Sequence, residues 1–134
     1  MNKPAQPSEI ILIASNSATD ATLVKKLLND EFEHVFMSTH PDEAPEDFDR
    51  TQPDVLILAF GSLEKSKRYN LGLFRQSKEI HRKPHRTIIL CNKEEVQRAY
   101  ELCRDEIFDD YILFWPQAHD APSTAGATPL GANR

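Results

Sequence analysis

Five short apolar runs mark out this chain, each separated from the next by a polar or helically patterned stretch. The first, Ile10-Ile11-Leu12-Ile13-Ala14 after Glu9, is continuous rather than alternating, as expected of a strand covered on both faces. Ser17 is placed to cap a helix running to about Asn29, with Leu23, Val24, Leu27 and Leu28 at helical spacing. His34 to Met37 predicts a second strand. Pro41 to Thr51 is acidic and interrupted by Pro45, so a short, irregular helix is expected there, anchored by Ala44 and Phe48. Gln52-Pro53 restarts the chain as a strand from Asp54 to Phe60, ended by Gly61. A longer helical stretch follows, with Leu71, Phe74 and Ile80 among its apolar residues; Gly72 weakens it and it stops before Pro84. Thr87 to Cys91 predicts the fourth strand and Tyr111 to Phe114 the fifth. Between them, Glu94 to Asp105 carries Val96, Ala99, Tyr100 and Cys103 on one stripe, an amphipathic helix.

Buried strands alternating with helices imply right-handed βαβ units and a parallel sheet. The expected class is α/β: a flavodoxin-like three-layer sandwich with a five-stranded sheet in the order 2-1-3-4-5. The 134 residues suit one domain, and no internal repeat is present. The expected boundaries are a disordered N-terminus over 1–8, the domain over 9–116, and a flexible tail or linker over 117–134. That tail, QAHDAPSTAGATPLGANR, lacks apolar periodicity and is broken by Pro and Gly. The fifth helix that would close such a fold is therefore expected to be missing or replaced. The face of the first strand would then fall to a partner, or to the rest of a longer chain.

Charge adds a second pattern. From Asn29 to Asp54 nine residues are acidic and one, Arg50, is basic; from Ser62 to Arg86 eight are basic and two acidic. The predicted topology makes these segments neighbours. The basic one offers a candidate anion site in Lys65, Lys67, Arg68, Arg75, Lys78 and Arg82, against the plainer reading of a solvated face paired with the acidic segment. A net charge of -5 argues against nonspecific nucleic-acid binding. No apolar run approaches the roughly 18 residues that span a bilayer, the N-terminus lacks a secretory core, and Cys91 and Cys103 do not read as a disulfide framework. A cytoplasmic location with no membrane partner follows as the expectation. The five histidines show no metal-ligand spacing, and no phosphate-binding glycine loop or nucleophile elbow is present. No metal, cofactor or catalytic residue is expected.

Four segments, in order and at suitable spacing over about 9–116, resemble the receiver domain of bacterial response regulators. Gln52-Pro53-Asp54-Val55-Leu56-Ile57-Leu58-Ala59 is similar to that family's proline-aspartate run into strand 3, and Ile11 to Asn16 resembles strand 1 and the corner after it. Thr87 to Cys91 resembles strand 4, and Asp109-Asp110-Tyr111-Ile112-Leu113-Phe114-Trp115-Pro116 resembles the ending of strand 5. The resemblance implies a phosphorylation site with a Mg²⁺-binding acidic pair, a phosphoacceptor aspartate, a Ser or Thr and a lysine. Here those positions read Ser15 and Asn16, Ala59, Cys91 and Trp115. None supplies a carboxylate for Mg²⁺ or for attack on phosphorus, and Trp115 offers no cation to the transferring group. The family's aromatic switch position falls on Tyr111 or Ile112, because one extra residue precedes Pro116, and the resemblance also implies a cis bond before that proline.

The expected function is accordingly that of a pseudo-receiver: not an enzyme, but a protein-interaction or dimerisation module in bacterial signal transduction. Its partner would be another protein, an attached signalling domain or a second copy. The resemblance places the output face on helix 4 and strand 5, here Lys93, Glu94, Gln97, Arg98, Glu101, Arg104 and Tyr111. The alternative is a regulatory module binding a small molecule or nucleotide in the crevice at the strand carboxyl ends. The two differ in whether a pocket exists there or whether Trp115 and Phe60 plug it.

Overall fold

The structure, a computed structural model, describes residues 8–114. The N-terminal segment and tail, together with Trp115 and the bond before Pro116, lie outside the described residues. Five strands form one all-parallel sheet in the order β2-β1-β3-β4-β5: β1 Ile10–Ala14, β2 His34–Ser38, β3 Val55–Leu58, β4 Arg86–Cys91 and β5 Asp110–Leu113. Four helices connect them: α1 Ala18–Leu28, α2 Ala44–Thr51, α3 Leu63–Gln76 and α4 Val96–Arg104. This is the α/β, flavodoxin-like arrangement that the apolar runs predict.

Two apolar cores lie on opposite sides of the sheet because neighbouring strand residues point to opposite faces. Leu12, Leu56, Leu58, Ile89 and Cys91 meet Ala44 and Phe48 of α2, Leu63 and Leu73 of α3, and Ala99 and Leu102 of α4. Ile11, Ile13, Ile57 and Leu90 meet Ala21 and Val24 of α1. The face of β1 is therefore closed: Ile11 and Ile13 are 2% and 0% exposed. Exposed apolar side chains occur elsewhere, among them Ile112 and Leu113 of β5 at the sheet's edge, 47% and 57% exposed.

Local chemistry sets the element ends. Ser17 caps α1, its Oγ accepting from the Asp20 amide at 3.2 Å, and Ser62 caps α3 by accepting from Lys65. A 3-10 turn at Pro41–Glu43 leads into α2, whose Ala44 and Phe48 are buried as the sequence predicts. Gln52 takes a left-handed backbone, φ 48°, to end α2.

Two further expectations are corrected. Helix α3 stops at Gln76, not just before Pro84, and Ile80 lies in the following turn, where it is buried. Ser77 ends the helix because its Oγ accepts from the amides of Glu79 and Ile80. Asp49 of α2 accepts in turn from Ser77 Oγ at 2.5 Å and from the amides of Lys78 and Glu79 at 3.2 Å. In α4 the buried residues are Ala99 and Leu102, while Tyr100 is 50% exposed. The regular helix starts only at Val96, after a 3-10 turn over Lys93–Glu95, and this offset turns Tyr100 outward.

Candidate functional site

In a parallel sheet all strands end on one side, and loops leaving that edge bring together residues far apart in sequence. Here the edge gathers Ser15 after β1, Ala59 and Phe60 after β3, and Cys91 at the end of β4. The Ala59 amide donates to Ala14 O at 2.8 Å, Ser15 N to Ser38 O at 3.0 Å, and Phe114 N to Cys91 O at 2.9 Å. Three of the positions that the receiver resemblance assigns to phosphorylation are thus sealed: Ser15 is 1% exposed, and Ala59 and Cys91 are each 0%. Asn16, beside them, faces solvent.

The donor set is neutral and already engaged. Ser15 Oγ accepts from the Ser17 amide at 3.0 Å and donates to Ser17 O at 3.2 Å, so it is spent on the β1–α1 corner. Burial pushes the Cys91 thiol above its usual range, with the charge of Glu95 acting the same way. A thiol held protonated is a poor nucleophile and a poor metal ligand. These side chains do not fit Mg²⁺, which binds through one or two carboxylates. Among the described residues no group of three or more His, Cys, Asp or Glu side chains is placed to hold a metal ion.

One carboxylate does reach this edge, and sequence reasoning missed it. Glu95 Oε2 accepts from the Leu63 amide at 3.2 Å, tying the turn before α4 to the start of α3, while its Oε1 is buried without a hydrogen-bond partner. Asn92 caps the same turn by accepting from the Glu95 amide at 3.1 Å. The Asn92/Glu95 spacing is that of a local capping box, yet the carboxylate turns away to a helix 32 residues distant in the chain. Only tertiary contact reveals that use.

The face assigned to α4 and β5 is assembled as a surface. Lys93, Glu94, Gln97, Arg98 and Arg104 are exposed, and Glu101 and Tyr111 are half-buried. Arg98 pairs with Glu101 at 3.5 Å and Arg104 with Asp105 at 3.3 Å. Tyr111 packs against the α2–α4 core, whereas its neighbour Ile112 points to the other side of the sheet. Tyr100 and Ile107 add exposed apolar area that the sequence reading had not put there.

The candidate anion residues do not form one patch. Lys65 and Arg68 border a cleft of about 400 Å³ between α2 and α3. Lys67 pairs with Glu64 at 3.9 Å, Arg82 with Glu79 at 3.2 Å, Lys78 lies beside Asp49, and Arg75 is exposed. The acidic and basic segments do adjoin, and an ion pair crosses between them, Lys83–Asp54 at 3.1 Å.

No known family profile matches this chain, and no curated protein sequence does. Among solved structures, a chain described as a yeast Spc42 trimeric coiled coil (amino acids 181–211) fused to another structure superposes with a TM-score of 0.61. The identity is 15%, over 82% of this chain and 70% of that one. At that identity the likeness is one of fold alone.

Proposed function

We propose that this chain is a pseudo-receiver: a receiver-like domain without phosphotransfer chemistry that works by docking to another protein, with α4 and β5 as its docking face. The observation that carries the reading is the sealed strand-end site, where Ser15, Ala59 and Cys91 are buried, Ser15 Oγ is consumed by the backbone of Ser17, and the nearby Glu95 carboxylate is tied to the Leu63 amide. A phosphoacceptor must be open to its donor and surrounded by charge that stabilises the transferring group. This site offers neither. Accessible on the α4 and β5 side are Arg98, Arg104, Tyr100, Ile112 and Leu113. Exposed apolar side chains rimmed by charge suit a protein partner better than bulk water. A partner or attached domain in a signalling pathway is the occupant proposed, with self-association the second choice.

The test is an amide NMR titration with Mg²⁺ followed by beryllofluoride, a phosphoryl mimic. The amides of Ser15, Ala59 and Cys91 are expected to stay in place at millimolar ligand. Saturable shifts there would overturn the reading. A photo-cross-linker placed at Tyr100 or Ile112 should capture a partner in cells, while one at Leu27, equally apolar and 60% exposed on α1, should not.

A further inference from the structure

Beside the sealed edge lies a cleft of about 400 Å³, within the size range of small-molecule sites. Helices α2 and α3 form its sides, and Asn16 and Phe60 reach it from the loops after β1 and β3. Its walls are mainly apolar. Phe60 and Tyr69 stand ring against ring, centroids 4.9 Å apart and tilted by 40°, and Pro41 and Pro45 also line the cleft. A flat body would find aromatic and proline rings in these walls.

Two further features distinguish this cleft from an accidental gap. Gly72 lies inside α3, where glycine weakens a helix, yet nothing lies within 4 Å of where its Cβ would be. No close packing requires a glycine there, and any larger side chain would project into the cleft. The helix bears a weak residue at the point where the cleft needs room. At the same rim are Lys65 and Arg68, both exposed, and neither forms an ion pair among the described residues. Elsewhere on the same helix a cation is paired, Lys67 with Glu64 at 3.9 Å, but neither of those two lines the cleft. Two unpaired cations over an apolar, aromatic floor complement one kind of guest.

We propose that the α2–α3 cleft binds a small aromatic anion, its flat body against Phe60 and Tyr69 over Gly72 and its acidic group held by Lys65 and Arg68. The site is separate from the α4–β5 docking face, so either assignment stands without the other.

The probe is 1-anilinonaphthalene-8-sulfonate, with its uncharged parent N-phenyl-1-naphthylamine as control. Fluorescence titration should show saturable binding at one site, and amide NMR should place the shifts at Asn16, Tyr69 and Gly72. Gly72→Leu fills the cleft while favouring the helix, so the variant is expected to fold, as checked by circular dichroism, and to lose binding. Lys65→Gln with Arg68→Gln should weaken the sulfonate by about tenfold or more and leave the uncharged parent unchanged. Binding that persists at full strength in Gly72→Leu overturns the proposal. So does the absence of saturable binding, or a set of shifts at Ile112 and Leu113 in place of the cleft. Equal loss of both probes in the double variant removes the role given to the cations.

Discussion

Asp49 shows how far one side chain can reach in this fold. Its carboxylate sits on α2 and organises the turn after α3 by accepting from Ser77 Oγ and the Lys78 and Glu79 amides. Burial opposes ionisation, but these hydrogen bonds and the charge of Lys78 outweigh it and hold the carboxyl below its ordinary value. A group with a depressed folded pKa loses its contribution on acidification, because the unfolded chain takes up the proton first. The stabilisation is therefore fully present above the unfolded value of about 4 and disappears as pH falls through the folded one. Asp54, held low by the Ile10 amide and by Lys83 against its own partial burial, acts in the same direction. Asp49→Ala should lower stability at pH 7 by about 1–3 kcal/mol and make the acid limb of a stability–pH curve shallower. Urea unfolding at several pH values measures both. A variant as stable as the parent at pH 7, with the same acid limb, would show that the turn holds itself.

The elements follow their sequence patterns except where a contact from elsewhere in the chain intervenes. In α4 the apolar stripe of Val96, Ala99, Tyr100 and Cys103 is visible in the sequence, but the core takes Leu102 beside Ala99 and leaves Tyr100 outside. Both Tyr100 and Leu102 suit an apolar face. The choice depends on where the 3-10 turn hands over to the regular helix, and that is fixed by Asn92 capping Glu95 and by Glu95 holding the start of α3. Leu102→Ala should cost about 2–4 kcal/mol, whereas Tyr100→Ala should stay within about 0.5 kcal/mol of the parent. Comparable losses for the two would place the wrong residue inside. The end of α3 makes the same point: Ile80 continues the helical spacing, but Ser77 and Asp49 divert the chain into a turn that buries Ile80 from a different direction.

At the scale of the molecule, the strand order places β1, β3 and β4 between neighbours and leaves β2 and β5 at the edges. Amides of Leu12, Ile13 and Leu56–Leu58 should therefore exchange with solvent at least ~100-fold more slowly than those of Ile112 and Leu113. Hydrogen-exchange NMR reads this directly. Protection in β5 equal to that in β1 would mean that the edge is covered in solution, as a stable self-association through this face would require. The strand order, the apolar strands, the Ser17 cap and the buried pair Ala44 and Phe48 were all legible in the sequence, because each rests on local periodicity, capping chemistry or the handedness of βαβ connections. That Ser15, Ala59 and Cys91 carry no carboxylate is a matter of residue identity alone. Distances across the fold were not legible. The reach of Glu95 to Leu63, the dispersal of the basic residues, the closure of β1 by α1 and the cleft over Gly72 each join segments from separate parts of the chain. Only the folded sheet, by setting where its loops and helices leave it, decided which of them meet.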